Sequence, residues 1–244
     1  MSNPVFNEKT LEAQERILDG APCTVQGTIN KALMLLAVVA AAFCVTYHMC
    51  IQNRSNVAMG LGMIGIIAGF ILALIISFKQ KTAPILAPFY AACEGLFLGG
   101  ASFMFEASYP GIVLQAVAAT LGTLFLTLVL YSAKIVKVTN KFRSTIIIAT
   151  LGVAGIYFVS WILSIFKVPV PVIYSSGTIG IVFSLIVCAI AASNFFIDFD
   201  IIERLSGNFA PKLYEWYGAF GLLVTLVWVY IEILRLLSKL RSRN

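Results

Sequence analysis

The sequence predicts an all-α, polytopic membrane protein, built as a bundle of seven transmembrane helices with the last helix at its centre. Hydrophobic residues make up 60% of the 244 residues and charged residues only 11%, whereas a soluble domain carries roughly 25% charged residues. Apolar runs that reach the length needed to cross a bilayer, about 20 residues, recur along the chain. They occupy residues 30–50, 57–78, 83–105, 112–132, 145–165, 176–199 and 216–237. These runs leave little of the chain for a soluble domain.

Residues 1–30 are predicted to form a polar N-terminal segment outside the transmembrane domain, which we assign to residues 31–237. The segment is polar from its start, unlike a secretory signal, which begins with a basic region before a short apolar core. Within it, Asn7 is a candidate N-cap and Gly20 a candidate end of a short amphipathic helix. We expect this helix to lie on the membrane surface or to pack across the mouth of the bundle.

Basic residues predict which end of the bundle is cytoplasmic, because cytoplasmic loops are enriched in lysine and arginine. With the N-terminus inside, the outer loops hold only Arg54 and Lys167. The inner segments hold Lys9, Arg16, Lys31, Lys79, Lys81, Lys134, Lys137, Lys141, Arg143, Arg204 and Lys212. The basic tail, residues 238–244, disagrees with this orientation if the seventh span crosses fully. A last segment that re-enters the membrane would instead leave the tail inside, so both arrangements stay open.

The third span carries an acid midway along its length, Glu94. A charged side chain in hydrocarbon costs at least about 2.5–3.5 kcal/mol, so such acids usually face protein or water. One interpretation is a neutral carboxyl group that hydrogen-bonds to a neighbouring helix, and the other is a proton or cation site. Beside it, Gly95 and Gly99 form a pair of small residues four apart, which predicts the close approach of another helix.

A stripe of small and polar residues marks the seventh span as the central helix of the bundle. Its members recur at helical spacing and share one face, and they are Gly218, Gly221, Thr225, Trp228 and Glu232. Such a stripe on an apolar helix should face inward. Glu232 is a candidate for the ion pathway, but Arg235 lies three residues later and the two side chains can simply pair with each other.

The end of the sixth span places Asp198, Asp200 and Glu203 within six residues. Asn194 and Asp198 are four apart and share a face of the helix, whereas Asp200 is rotated by about 200° from Asp198. We therefore expect Asp198, with Asn194, to face the interior. Asp200 and Glu203 should face the cytoplasmic rim, where Asp200 can pair with Arg204 one turn later.

The residue content argues against an enzyme and against a bound cofactor. An intramembrane aspartyl protease needs aspartates on two facing helices, and no other span contains a second aspartate. Intramembrane serine proteolysis usually needs a histidine base, and the single histidine, His48, lies near the outer end of the first span. Five scattered cysteines and one histidine make no zinc motif, and the chain lacks a glycine-rich phosphate loop. Nothing in the composition suggests nucleic-acid binding.

Four stretches make the sequence resemble the Bax inhibitor-1 (transmembrane Bax inhibitor motif) family, and its bacterial branch most closely. They lie at residues 3–10, 26–36, 87–100 and 197–237. The resemblance implies seven helices with the last surrounded by the other six, which favours a fully crossing tail. It also implies a pH-sensitive calcium leak in the bacterial inner membrane. In the family, an aspartate ending the sixth span pairs with an acid in the seventh, and their shared protonation controls the pore.

Carried onto this sequence, the sixth-span aspartate of the family corresponds to Asp198, with Asp200 the alternative if the register slips by two. The second acid departs from the pattern, because Thr225 stands where the family often has aspartate. A lone acid lacks the like-charged neighbour of a carboxylate dyad. Proton sensing would then rest on the burial of Asp198, or on Glu94 or Glu232.

The leading hypothesis from the sequence is an ion-leak protein, gated near Asp198, that passes calcium or protons across the lipid bilayer. Calcium favours six to eight oxygen ligands, so Asp198 and Asp200 with nearby carbonyl groups would make only a weak, transient site. The alternative is a non-transporting regulator or scaffold that binds other membrane proteins, such as a quality-control protease.

Overall fold

The structure, a computed structural model, describes residues 22–166, 177–208 and 210–243, and these residues form seven long helices without a strand. The helices are α1 (Val25–Ile51), α2 (Ser55–Phe78), α3 (Ala83–Ser108), α4 (Ile112–Ser132), α5 (Asn140–Ile165), α6 (Thr178–Gly207) and α7 (Tyr214–Arg243). Each of them is long and apolar enough to cross a membrane. The predicted all-α, seven-helix architecture is therefore confirmed. The amphipathic helix predicted before Gly20 lies outside the described residues.

Several helices are longer than the apolar runs that predict them, because polar residues cap or extend their ends. Thr24 begins α1 by accepting a hydrogen bond from the backbone N–H of Gly27, and Thr139 begins α5 in the same way with Phe142. Such caps satisfy donors that the first turn of a helix leaves free. At its other end α7 continues to Arg243, well beyond the apolar run.

Helix α3 lies between α1 and α2 and approaches both closely. A Cβ atom on Gly99 would stand 2.5 Å from the carbonyl oxygen of Phe43 in α1, and one on Gly95 would overlap the carbonyl of Val39. On the opposite side, a Cβ on Gly65 of α2 would stand 2.5 Å from a carbonyl of α3. Larger residues at these positions would force the helices apart. The pair Gly95 and Gly99 therefore allows the close helix approach that its spacing predicts.

Helix α7 packs against α1, α3, α4 and α6, and Tyr157 of α5 donates a hydrogen bond to it. Among its large hydrophobic residues only Val224 and Leu240 are exposed, whereas every other long helix exposes more. Helix α2 packs against α3 and α1 instead. The last helix is therefore central, as predicted, although the other six helices do not form a complete ring around it.

The two ends of α7 show that it crosses the whole bundle. At its start, Glu215 forms an ion pair with Lys31 of α1. At its end, Arg241 donates hydrogen bonds to the carbonyl of Pro110, at 2.6 Å, and to Gln115, at 3.0 Å, where α3 connects to α4. These partners lie at opposite ends of the bundle. Helices α1 and α3 begin at the same end, and the connection from α3 to α4 lies at the other end. This geometry excludes the re-entrant last segment.

Candidate functional site

Asp198 lies near the end of α6 and faces α7, as its helical spacing predicts. A Cβ atom on Gly221 would stand only 3.9 Å from its Oδ1, and the Thr225 side chain lies beside the carboxyl group. The other oxygen, Oδ2, is buried and has no hydrogen-bond partner, the one such side-chain atom among the described residues. Most buried polar groups have partners, and an unsatisfied one costs about 1–3 kcal/mol.

Close packing of α6 and α7 keeps this carboxyl group away from bulk water. Ile197 and Phe199, on either side of Asp198, are both buried. One turn before Gly221, a Cβ on Gly218 would stand 3.2 Å from Ile202 of α6. The small residues of the predicted stripe thus allow α6 to approach α7 closely, and Asp198 lies in that contact.

Asn194 does not join Asp198, although the two residues share a helix face. Its Nδ2 donates to the Thr150 hydroxyl of α5 at 3.1 Å and to the carbonyl of Ile190 at 2.9 Å. Asn194 therefore holds α6 against α5, while Asp198 one turn later is directed at α7.

Asp200 and Glu203 lie at the rim, as predicted. Asp200 forms ion pairs with Arg143 of α5 and with Arg204, the latter at 2.9 Å, and Glu203 accepts a hydrogen bond from Tyr131 of α4. Asp198 and Asp200 thus contact different helices, and no group of three or more His, Cys, Asp or Glu residues that could hold a metal occurs in the part of the chain described. The weak calcium site predicted for Asp198 and Asp200 stays a prediction.

Glu232 lies seven residues beyond Thr225 on α7, which is about 10 Å along the helix, and it has its own partners. It accepts hydrogen bonds from Tyr157 at 2.9 Å, Trp228 at 3.3 Å and Arg235 at 3.2 Å. The predicted pairing with Arg235 is therefore present. Three donors satisfy this buried carboxylate, which makes it a connection between α5 and α7.

Glu94 lies on the α2 side of α3, apart from the contact between α6 and α7. A Cβ atom on Gly69 of α2 would stand 3.3 Å from its Oε1. The polar side chain beside its carboxyl group is that of Tyr90, one turn earlier in the same helix. Tyr90 in turn packs edge-on against Phe220 of α7, with ring centroids 5.0 Å apart. The polar neighbour of this carboxyl group therefore belongs to α3 itself, whereas one interpretation of the sequence was a hydrogen bond to a neighbouring helix.

The sequence analysis missed a cluster that fastens the start of α1 to the start of α7, which we call the Glu215 latch. Glu215 is only 1% exposed. It accepts hydrogen bonds from the backbone N–H and the hydroxyl of Thr24, both at 3.0 Å, and pairs with Lys31. Beside it, the backbone N–H of Cys23 donates to the carbonyl of Ala210 at 2.7 Å. The spacing of Thr24 and Lys31 on α1 is the sequence signal that could have suggested a shared partner.

Lys239 is a second feature that the sequence did not reveal, since it was assigned to the basic tail. It is buried, and its Nζ donates to the Ser184 hydroxyl at 2.8 Å and to the carbonyl of Gly180 at 3.1 Å. Both acceptors belong to the first turns of α6. Lys239 therefore fastens α6 to α7 at the end of the bundle opposite to the Glu215 latch.

Seven apolar helices of membrane-crossing length, packed about α7, define an integral membrane protein of the polytopic α-helical class. The sequence matches the family described as Bax inhibitor 1 like over residues 3–242. The chain belongs to this family, as the resemblance predicts. A search of curated proteins finds no match.

Proposed function

We propose that this protein is an ion-leak channel, most simply for calcium, with a pH-sensitive gate at Asp198 where α6 meets α7. Its membership of the Bax inhibitor 1 like family supports a membrane role of this kind. The observation that carries the gate is the buried, unpartnered Oδ2 of Asp198. We further propose that the protein belongs to the bacterial branch and lies in the inner membrane, with its N-terminus cytoplasmic and without enzymatic activity.

The free oxygen supports proton sensing because a proton can bind there without displacing a protein donor. A protonated carboxyl group is both a donor and an acceptor, whereas a carboxylate only accepts. The ion pairs among the described residues join Lys31 to Glu215, Arg143 and Arg204 to Asp200, and Arg235 to Glu232. None of them includes Asp198, so none of the described cations fixes its charge.

We infer that the described arrangement is a closed state. A cation that moved along α7 would meet the tight contact between α6 and α7 at Asp198. Conduction therefore requires these two helices to separate at the level of Asp198.

Calcium flux into liposomes that contain only this protein tests the proposal and separates it from the non-transporting alternative. We expect a flux that changes between about pH 6 and 8, and we expect Asp198→Asn to flatten that response. Asp200→Asn is the matched control, because Asp200 is an acid two residues away whose ion pairs lie at the rim. Absence of flux in the folded wild-type protein would favour a regulator or scaffold that binds other membrane proteins. An identical pH response in wild type and Asp198→Asn would show that Asp198 is not the sensor.

Thr225→Asp provides a complementary variant, because the Thr225 side chain already faces Asp198. It would place two carboxyl groups on facing helices, and coupled carboxyl groups titrate as a pair. We expect a steeper pH response than in wild type. An unchanged response in a folded variant would argue against a proton site between these two residues.

A further inference from the structure

A deep groove opens between α1, α4, α6 and α7, at the end of the bundle where α1 begins. Its cavity volume is about 760 Å³, which falls in the range of pockets that hold small-molecule ligands, about 300–1,000 Å³. Most of its wall is apolar, formed by residues such as Val25, Ile29, Leu36, Leu128 and Leu226. We call this feature the α1–α4 groove.

The α1–α4 groove runs from the lipid-facing surface into the core of the bundle. Leu33, at its outer edge, is 60% exposed, whereas Leu223 and Ile202, which also line it, are 3% and 6% exposed. An apolar cavity of this kind does not hold water well. An acyl chain that enters sideways from the bilayer would cover these residues without burying any unsatisfied polar group.

Basic residues outnumber acids at the mouth of the groove once the two arginines that pair with Asp200 are counted. Lys134 and Lys137, in the connection from α4 to α5, line it and are exposed. Neither takes part in an ion pair among the described residues. The two acids at the mouth are already engaged, since Asp200 pairs with two arginines and Glu203 accepts a hydrogen bond from Tyr131. No acid in the described part of the chain pairs with either lysine, so both can bind an anion.

We propose that the α1–α4 groove binds a phospholipid with an anionic headgroup, one acyl chain lying between the helices and the phosphate lying against Lys134 and Lys137. Basic pockets between transmembrane helices bind the headgroups of anionic lipids in this way. The charge at the mouth distinguishes such a lipid from a zwitterionic one, whose headgroup carries no net charge. Lys134 and Lys137, which would hold the headgroup, take no part in the proposed gate, so lipid binding can be tested without ion conduction.

Binding of phosphatidylglycerol and of phosphatidylcholine with the same acyl chains, measured by native mass spectrometry on the full-length protein, tests the site. We expect phosphatidylglycerol to bind at least tenfold more tightly. The Lys134→Gln/Lys137→Gln variant should lose roughly tenfold or more of that affinity, because each basic residue near an anionic surface contributes appreciably. Lys79→Gln/Lys81→Gln is the matched control. It removes the same charge from exposed lysines at the same end of the bundle, which do not line the groove.

A second variant tests the apolar part of the groove. Ala32→Phe should fill it and weaken the binding of both lipids. If that variant does not fold, Leu33→Trp at the exposed edge replaces it.

Three results would overturn the proposal. The first is equal binding of the two lipids, and the second is equal loss of affinity in the two lysine variants. The third is displacement of bound phosphatidylglycerol by inorganic phosphate alone, which would show an anion site without a role for the acyl chain.

Discussion

Gly27→Ala should destabilise the protein by disrupting the Glu215 latch. A Cβ atom built on Gly27 would overlap the carboxylate of Glu215, so the new methyl group must push that side chain away. Glu215 would then lose its two hydrogen bonds from Thr24 and its ion pair with Lys31. No other side chain at position 27 avoids this overlap, because every residue except glycine has a Cβ atom.

The magnitude follows from two opposing contributions. Breaking a buried ion pair costs about 3–5 kcal/mol, while alanine is favoured over glycine within a helix by about 1 kcal/mol. The free energy of unfolding should therefore fall by roughly 2–4 kcal/mol. For a protein of this size that corresponds to a decrease of roughly 5–15 °C in the unfolding midpoint.

Thermal unfolding in detergent, followed by intrinsic fluorescence, measures the effect, and Trp216 is a local reporter because its ring lies 5.6 Å from the Lys31 Nζ. Gly60→Ala is the matched control, since nothing lies within 4 Å of a Cβ at that position in α2. It should leave the midpoint unchanged or raise it.

A double-mutant cycle identifies the cause of the destabilisation, because residues in contact give non-additive effects. Glu215→Ala removes the side chain that the new methyl group would strike. The double variant Gly27→Ala/Glu215→Ala should therefore be about as stable as Glu215→Ala alone. Additive losses, or a Gly27→Ala midpoint equal to that of the Gly60→Ala control, would refute the reasoning.

Two further predictions concern Glu94 and Cys23. Glu94→Gln keeps a partner for Tyr90 and should unfold at nearly the wild-type midpoint. Glu94→Ala should lower the free energy of unfolding by about 0.6–1.7 kcal/mol, as for one hydrogen bond within a membrane protein. Equal losses in the two variants would show that the ionised carboxylate is needed. Burial raises the pKa of the Cys23 thiol above its ordinary value, and the thiolate is the reactive form. Its alkylation by iodoacetamide should therefore be slow at pH 8, increase as the pH rises past 9, and become faster at fixed pH in Glu215→Ala. If Cys23 in the wild type were alkylated at pH 8 as fast as a free cysteine, that result would contradict a raised pKa.

Helical periodicity was sufficient to predict the orientation of side chains on single helices. It placed Asp198 toward the interior and Asp200 toward the rim, and it predicted the pairing of Asp200 with Arg204. The spacing of Gly95 and Gly99 likewise predicted a close helix contact. These features depend on the 3.6-residue repeat and on local spacing alone, so the sequence contains them directly.

Partners on distant helices could not be predicted in this way. Glu215 and Thr24 are 191 residues apart, and the face of a helix does not reveal which neighbour covers it. Lys239 was assigned to the basic tail, residues 238–244, but its ammonium group reaches two oxygens of α6. Asn194 was expected beside Asp198, yet a hydroxyl on α5 satisfies it. In each case a specific hydrogen bond across helices decided the position.

The hydrogen bonds and ion pairs around Asp198 indicate which helices would move together when the proposed gate opens. Helix α6 is fastened to α5 through Asn194 and Asp200, and to α4 through Glu203. The start of α7 is fastened to α1 through the Glu215 latch. At the level of Asp198, the α6–α7 contact rests on close packing, with the Thr225 side chain beside the Asp198 carboxyl group.

The contact between α6 and α7 is fastened more firmly at the opposite end of the bundle, where Lys239 donates two hydrogen bonds to α6. We therefore expect α6 to move with α4 and α5, away from α1 and α7, about a pivot near Lys239. That motion would widen the α1–α4 groove, because the groove lies between these two groups of helices. A lipid chain that fits the groove as described would hold the two groups at their present separation, so its binding should oppose opening at Asp198.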